Sequence, residues 1–258
     1  MSRIVALAGV TVREAFRQKL AVNLLVFALA LLSASVAISA LTFGEQYRII
    51  VNLGLSAMEV FGTLIAVFLG AGLIARDVER RTVYPILARP ISRAAYVASR
   101  YLGLVATLAL NLAVMAAVFV AMLALYERSL RFLVDSPLLL VLLAMVVQLA
   151  MVAAIAAFFS SFSTPTLSAI LALALVVAGH LASDLVRYWA RQGAATRWAG
   201  KLAYVLVPNL EALDFKEAMV YRDPIAWSGT LLGLAYGVLY AAAVVALAAG
   251  VFSRRDLR

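Results

Sequence analysis

Residues 137–159 read PLLLVLLAMVVQLAMVAAIAAFF, with one polar side chain, Gln148, and no charge. A bilayer hydrocarbon core about 30 Å thick is crossed by roughly 20 apolar residues of helix at about 1.5 Å rise each, so this stretch reads as a transmembrane helix. Runs of the same kind recur on both sides of it: 20–41, 53–75 and 101–126 before, 167–186 and 226–252 after. The sequence predicts an all-α integral membrane protein of about six transmembrane helices. No low-complexity linker, internal repeat or soluble domain separates the runs, so residues 1–258 read as a single membrane domain.

Composition agrees. The chain of 258 residues is 66% hydrophobic and only 14% charged, with a mean hydropathy of +1.02, far from soluble globular domains. It has no cysteine, which excludes disulfides, thiolate metal sites and cysteine catalysis. The net charge of +9 sits on residues flanking apolar spans, which points to membrane topology and not to nucleic acid.

Basic residues beside spans are retained on the cytoplasmic side. With both termini inside, the inner segments carry Arg3, Arg13, Arg17 and Lys19, then Arg76, Arg80, Arg81, Arg89, Arg93 and Arg100, then Arg254, Arg255 and Arg258. Their acids are few. The outer segments are nearly balanced, and Trp189, Trp198 and Trp227 fall near outer span ends, where an amphipathic ring prefers the headgroup layer. Residues 1–19 are expected as an in-plane elbow helix with Ile4, Ala8, Val12 and Phe16 on one face. The outer loop, 187–225, broken at Pro208-Asn209, is expected to lie on the membrane surface. Residues 160–166 read as a tight hairpin in which Thr164-Pro165 caps the next helix.

Between the second and third spans, the loop at 76–100 opens RDVERRTVYPILARPISRAAY over residues 76–96. A membrane helix pair that receives force from a soluble motor must end in something stiff and polar. Pro85 and Pro90 bracket a compact segment, since each fixes φ and biases the residue before it away from the helical region. Ile86 and Leu87 supply apolar anchors, and Arg89 and Arg93 a charged rim. The plainer reading is a basic loop held at anionic headgroups.

The segment resembles the cytoplasmic loop of type-2 ATP-binding-cassette (ABC) exporter permeases, in which an acidic-basic cluster and Thr precede a short helix and then Arg-Pro-x-Ser-Arg. The resemblance extends to six spans, cytoplasmic termini, an elbow, and LVPNLE at 206–211 before the last span. Within that class it looks most like the permeases of copper-enzyme (nitrous-oxide reductase) maturation systems. It implies that Asp77, Glu79, Arg80, Arg81, Thr82, Pro85, Ile86, Leu87, Arg89, Pro90, Ser92 and Arg93 form the coupling loop, including a short coupling helix that docks on an ABC ATPase. It also implies a second permease chain, identical or paralogous, and a periplasmic accessory protein as a candidate partner, in the bacterial inner membrane. The sequence has no GxxxxGK[ST] phosphate-binding loop; the one Gly-Lys pair, Gly200-Lys201, precedes Leu202. ATP and Mg are therefore expected on the partner ATPase, with no cofactor bound by this chain, which is expected not to be an enzyme.

Apart from Asp184 near the outer end of the fifth run, Glu59 is the one acidic residue inside a span, where an ionisable group is costly and must face protein or water. It reads either as a carboxylate contacting substrate or proton, or as a helix-end group near the outer interface. His180 and Asp184 lie one helical turn apart and are expected to form a hydrogen-bonded pair, since one His and one carboxylate without Cys fall short of a transition-metal site. Asn111 and Gln148 are expected as interhelical hydrogen-bonding residues, and Gly229, Gly233 and Gly237 as a face for close helix approach. The methionines read as apolar packing, and no metal site is expected. Two other functions compete with the permease. An ATP-independent secondary transporter would show inverted repeats and broken helices near the midplane. A noncatalytic membrane anchor or scaffold would explain a basic loop but not the arrangement Arg89-Pro90-Ile91-Ser92-Arg93.

Overall fold

The structure, a computed structural model, describes residues 2–16, 19–39, 45–79, 92–128, 132, 136–182, 207–221 and 227–254. Every regular element among them is helical: α1 (Ser2–Phe16), α2 (Lys19–Ser39), α3 (Gln46–Ala71), α4 (Ala75–Glu79), α5 (Arg93–Glu127), α6 (Leu138–Ser160), α7 (Pro165–His180), a 3₁₀ turn (Glu211–Leu213), α8 (Lys216–Tyr221) and α9 (Trp227–Arg254). Four stretches are long and apolar enough to cross a membrane: Gln46–Glu79, Arg93–Glu127, Leu138–Ser160 and Gly229–Arg254. Two shorter apolar helices, Ala21–Ser35 and Pro165–His180, stand where the first and fifth spans are expected. Of the expected six spans, four are of full length among the described residues, and α2 and α7, helices of 21 and 16 residues, occupy the places of the first and fifth.

The helices outrun their apolar stretches where local chemistry lets them. α5 starts at Arg93, ahead of the apolar run, because Ser92 is extended and its hydroxyl accepts from the Ala95 N–H, 3.2 Å away. α3 starts at Gln46, where Arg48 pairs with Glu45 at 2.9 Å. Thr164 caps α7 with Pro165 as its first residue, as the hairpin sequence predicts.

Apolar burial does not drive helices together in lipid, so packing depends on small residues and polar contacts. α3 and α6 meet through Ala153, Ala156 and Ala157 of α6, all fully buried, and a Cβ on Gly70 would stand 2.7 Å from that of Ala156. Gly54 makes the same accommodation for Phe119 of α5. α1 lies along α5, where Gly103 admits the Ala8 carbonyl and Thr11. The face of α1 turned to α5 is therefore Ala8, Thr11 and Ala15, whereas Val12 is half-buried and Val10 exposed. The notch at Gly103 sets this rotation; Ala8 of the expected apolar face is part of it, and the side chains of Ile4 and Phe16 lie outside those described.

One end of the bundle, here called basal, carries the 80–91 connection. There the Ser160 hydroxyl of α6 accepts from the Ile74 and Ala75 N–H groups, each at 3.0 Å, at the break between α3 and α4. Arg93 donates to the Ser253 and Phe252 carbonyls at the end of α9, at 3.0 and 3.4 Å. At the distal end, Tyr126 reaches Gln46.

Candidate functional site

Two buried charged clusters stand at different levels of the bundle. The basal one is centred on Arg100 of α5, 6% exposed. Its guanidinium pairs with Asp77 of α4, to which the Tyr96 hydroxyl also donates. It also donates to Glu14 at 2.9 Å and Thr11 at 3.1 Å, both on α1. A planar guanidinium with several donors suits such a junction, because a buried cation must find acceptors in more than one direction. One side chain thus ties together the elbow-like α1, the base of the longest helix and the short helix that enters the 80–91 connection. Tyr96 extends the tie to α9 by stacking on Phe252, ring centroids 5.8 Å apart.

The distal cluster is centred on Glu59 of α3, 8% exposed. Its Oε1 accepts from Gln148 of α6 at 2.8 Å and meets His180 Nε2 of α7 at 3.1 Å; its Oε2 pairs with Lys216 of α8. His180 Nδ1 lies 3.0 Å from the Val176 carbonyl, so that nitrogen carries its hydrogen there. Its Nε2 faces both the Glu59 Oε1 and, at 3.4 Å, the Gln148 amide nitrogen. Lys216 also meets Asp214 at 3.3 Å. Burial pulls the Lys216 ammonium down, but the Glu59 and Asp214 carboxylates outweigh it and raise it above its usual value.

Lys216 belongs to no spanning helix. Glu59 lies 13 residues, or about 20 Å, along α3 from its distal start at Gln46, so the segment bearing Lys216 descends well into the bundle. Leu210, Leu213 and Met219 of that segment are fully buried. The Ala212 carbonyl sits in a notch at Gly233 of α9, where a Cβ would stand 2.7 Å away, and the Pro208 carbonyl uses Gly179 of α7 likewise at 2.6 Å. The Asn209 side chain accepts from the Ala212 N–H, and the Tyr236 hydroxyl accepts from the Asn209 N–H. Residues 207–221 are therefore packed among α3, α6 and α9. Within the expected surface segment, 187–225, glycine notches and a buried carboxylate draw residues 207–221 inward, and 187–206 and 222–225 lie outside the described residues.

The family model for ABC-2 family transporter proteins matches residues 3–257. The chain belongs to that family. No curated protein matches it. It is a multi-pass membrane protein and a permease subunit of an ABC transporter, of a kind that normally works with an ABC ATPase subunit.

The permease brings together three residues that the sequence offered separately, Glu59, Gln148 and His180. Asp184 lies outside the described residues, and His180 turns to Glu59. Gln148 bonds between helices, but Asn111 donates to the Thr107 carbonyl one turn back on its own helix, at 3.0 Å. Gly237 accommodates Val147 of α6 and Gly233 the Ala212 carbonyl, whereas Gly229 meets nothing within 4 Å among the described residues. Of the loop residues, Arg80, Arg81, Thr82, Pro85, Ile86, Leu87, Arg89 and Pro90 lie outside the described residues. Asp77 is buried under Arg100, Glu79 is exposed, Ser92 caps α5 and Arg93 holds the end of α9. Sequence reasoning missed Lys216 and Arg100 as partners because each reads as one more topology-setting cation; only the fold shows which acids they meet.

Proposed function

We propose that this permease is the force-receiving subunit of an ABC exporter: six spans with both termini cytoplasmic, the 76–100 loop docked on a separate ATPase, and a second permease chain completing the pathway. ATP-driven closure of the ATPases alternates the access of that pathway. The observation that carries this reading is the Arg100 junction. A push on the loop moves α4, and through Asp77, Arg100 and Glu14 it moves α5 and α1 as one body. Exposed apolar side chains along α9, among them Leu231, Leu232, Leu239 and Leu247, suit a bilayer, and the basic loop suits the bacterial cytoplasmic membrane. The resemblance to copper-enzyme maturation permeases makes a periplasmic accessory protein the further partner to seek.

The test is copurification of the tagged chain from mild detergent, followed by ATPase assay. Arg89→Glu is the informative change, since Arg93 also holds α9 in place. The expected result is ATPase activity with the native chain and its loss with Arg89→Glu at an unchanged thermal midpoint. An ATPase that stays bound to the variant removes the loop as its docking site.

A further inference from the structure

We infer that Glu59 is the seat of a cationic group, occupied in this conformation by the Lys216 ammonium, and that the cargo or cargo group it takes is an amine or comparably small organic cation. As a statement about cargo, this rests on the permease reading above; as a statement about binding, it stands on the site alone.

Glu59 stands 12 residues along α3 from its basal end at Ala71, and Gln148 stands 12 residues along α6 from Ser160, so both lie about 18 Å from the basal ends of those helices. Within a hydrocarbon layer about 30 Å thick, this places the carboxylate inside the layer. An ionised group there must keep a partner in every state that it visits.

Next comes the division of its two oxygens. Oε1 is held by Gln148 of the 23-residue α6 and by His180 at the end of the 16-residue α7, both apolar helices packed into the bundle. Oε2 faces Lys216, which belongs to a six-residue helix on a connecting segment. The cluster thus has a fixed half and a detachable half. The detachable half is an ammonium on a tether, with Asp214 behind it completing its neutralisation.

Any motion that withdraws residues 207–221 leaves Oε2 facing the vacated space with one hydrogen-bond direction and one charge to satisfy. A primary ammonium satisfies both, because it reproduces the donor geometry and the charge of Lys216 Nζ. A carboxylate- or phosphate-bearing molecule does not. Withdrawal of the tether and capture of a cation are consequently alternatives at one site, which gives an exchange: cargo in as Lys216 leaves, cargo out as Lys216 returns.

The experiment is chemical rescue of the purified chain in detergent, with no ATPase required, so that its failure is distinguishable from failure of the transport reading. Lys216→Ala vacates the seat. Methylammonium and ethylammonium chloride are titrated against sodium and tetramethylammonium chloride at equal ionic strength, and the thermal midpoint is read. The expected outcome is a saturable rise of the Lys216→Ala midpoint with the primary ammonium ions alone, absent in Lys216→Ala/Glu59→Gln and absent in the native chain. A rise of equal size in the double variant, or none in Lys216→Ala, overturns the assignment. If Lys216→Ala does not fold, Lys216→Met keeps most of the stem without a donor and serves in its place under the same criteria.

Discussion

The two buried charged clusters are built from similar groups and differ in what holds the cation. At the basal end, Arg100 projects from a 35-residue helix and meets acids on two other helices. At the distal level, Lys216 projects from a six-residue helix in a connecting segment. The first is a joint, since Arg100 cannot leave without dragging a 35-residue helix with it. The second is a latch, since its cation can leave with a short stretch of chain. The choice of cation follows the same division: a rigid guanidinium fork bridges several fixed acceptors, whereas a compact ammonium on a flexible stem can be exchanged for another ammonium.

The largest expected effect lies in the joint. Arg100→Met takes the guanidinium away from the buried Asp77 carboxylate, and breaking a buried pair in this way costs about 3–5 kcal/mol. The variant is expected at much reduced yield of folded protein, with α1 open to protease digestion. Lys216→Met removes the latch cation, but Gln148 and His180 still hold the other oxygen. Its cost is expected near the low end, about 3 kcal/mol, and its protease sensitivity confined to residues around 207–221. If the two variants lose stability equally and open at the same places, the distinction between joint and latch fails.

What the sequence made legible divides along the same line. Apolar spans and the α7 cap were readable because they rest on local pattern: apolar length, and Thr164-Pro165 after a short turn. Glu59 was readable as costly, since a lone acid in a span is a one-dimensional anomaly. Its cation was not, because Lys216 lies 157 residues away in a stretch whose mixed composition resembles a surface loop. Arg100 stayed hidden for a similar reason: its acids, Asp77 and Glu14, look like neighbours of other basic residues. Gly229, Gly233 and Gly237 share one helical side by spacing, but which of them meets a neighbour depends on where the 3₁₀ turn lands.

That landing site gives the next prediction in size. Gly233→Ala drives a methyl group against the Ala212 backbone oxygen, and with little room for relaxation the expected cost is about 1–3 kcal/mol. Gly229→Ala meets nothing within 4 Å and is expected to be neutral or slightly stabilising through helix propensity. Thermal midpoints of the two variants side by side decide whether the connecting segment is seated on α9. Equal midpoints would mean that residues 207–221 are not packed there in the native protein, and the latch would lose its footing.

The smallest effect is also the most discriminating, because it separates the clusters by chemistry and not by size. Folding raises the Lys216 ammonium above its ordinary 10.5, so its contribution to stability is fully present below about pH 10.5 and is lost as pH rises through the raised value. A guanidinium and a carboxylate keep their charges over that range. Two differences should therefore behave unlike each other on an alkaline titration. The stability gap between the native chain and Lys216→Met should be flat from pH 8 to about 10.5 and shrink above it. The gap between the native chain and Glu14→Gln, expected at no more than about 1 kcal/mol because Glu14 is 41% exposed, should stay constant across the same range. Taking differences against the native chain removes tyrosine and other lysine titrations that both members of each pair share. A Lys216→Met gap that persisted beyond the titration of the ammonium would mean that Lys216 contributes by packing its stem alone, and the distal cluster would then be a second joint with no exchangeable cation.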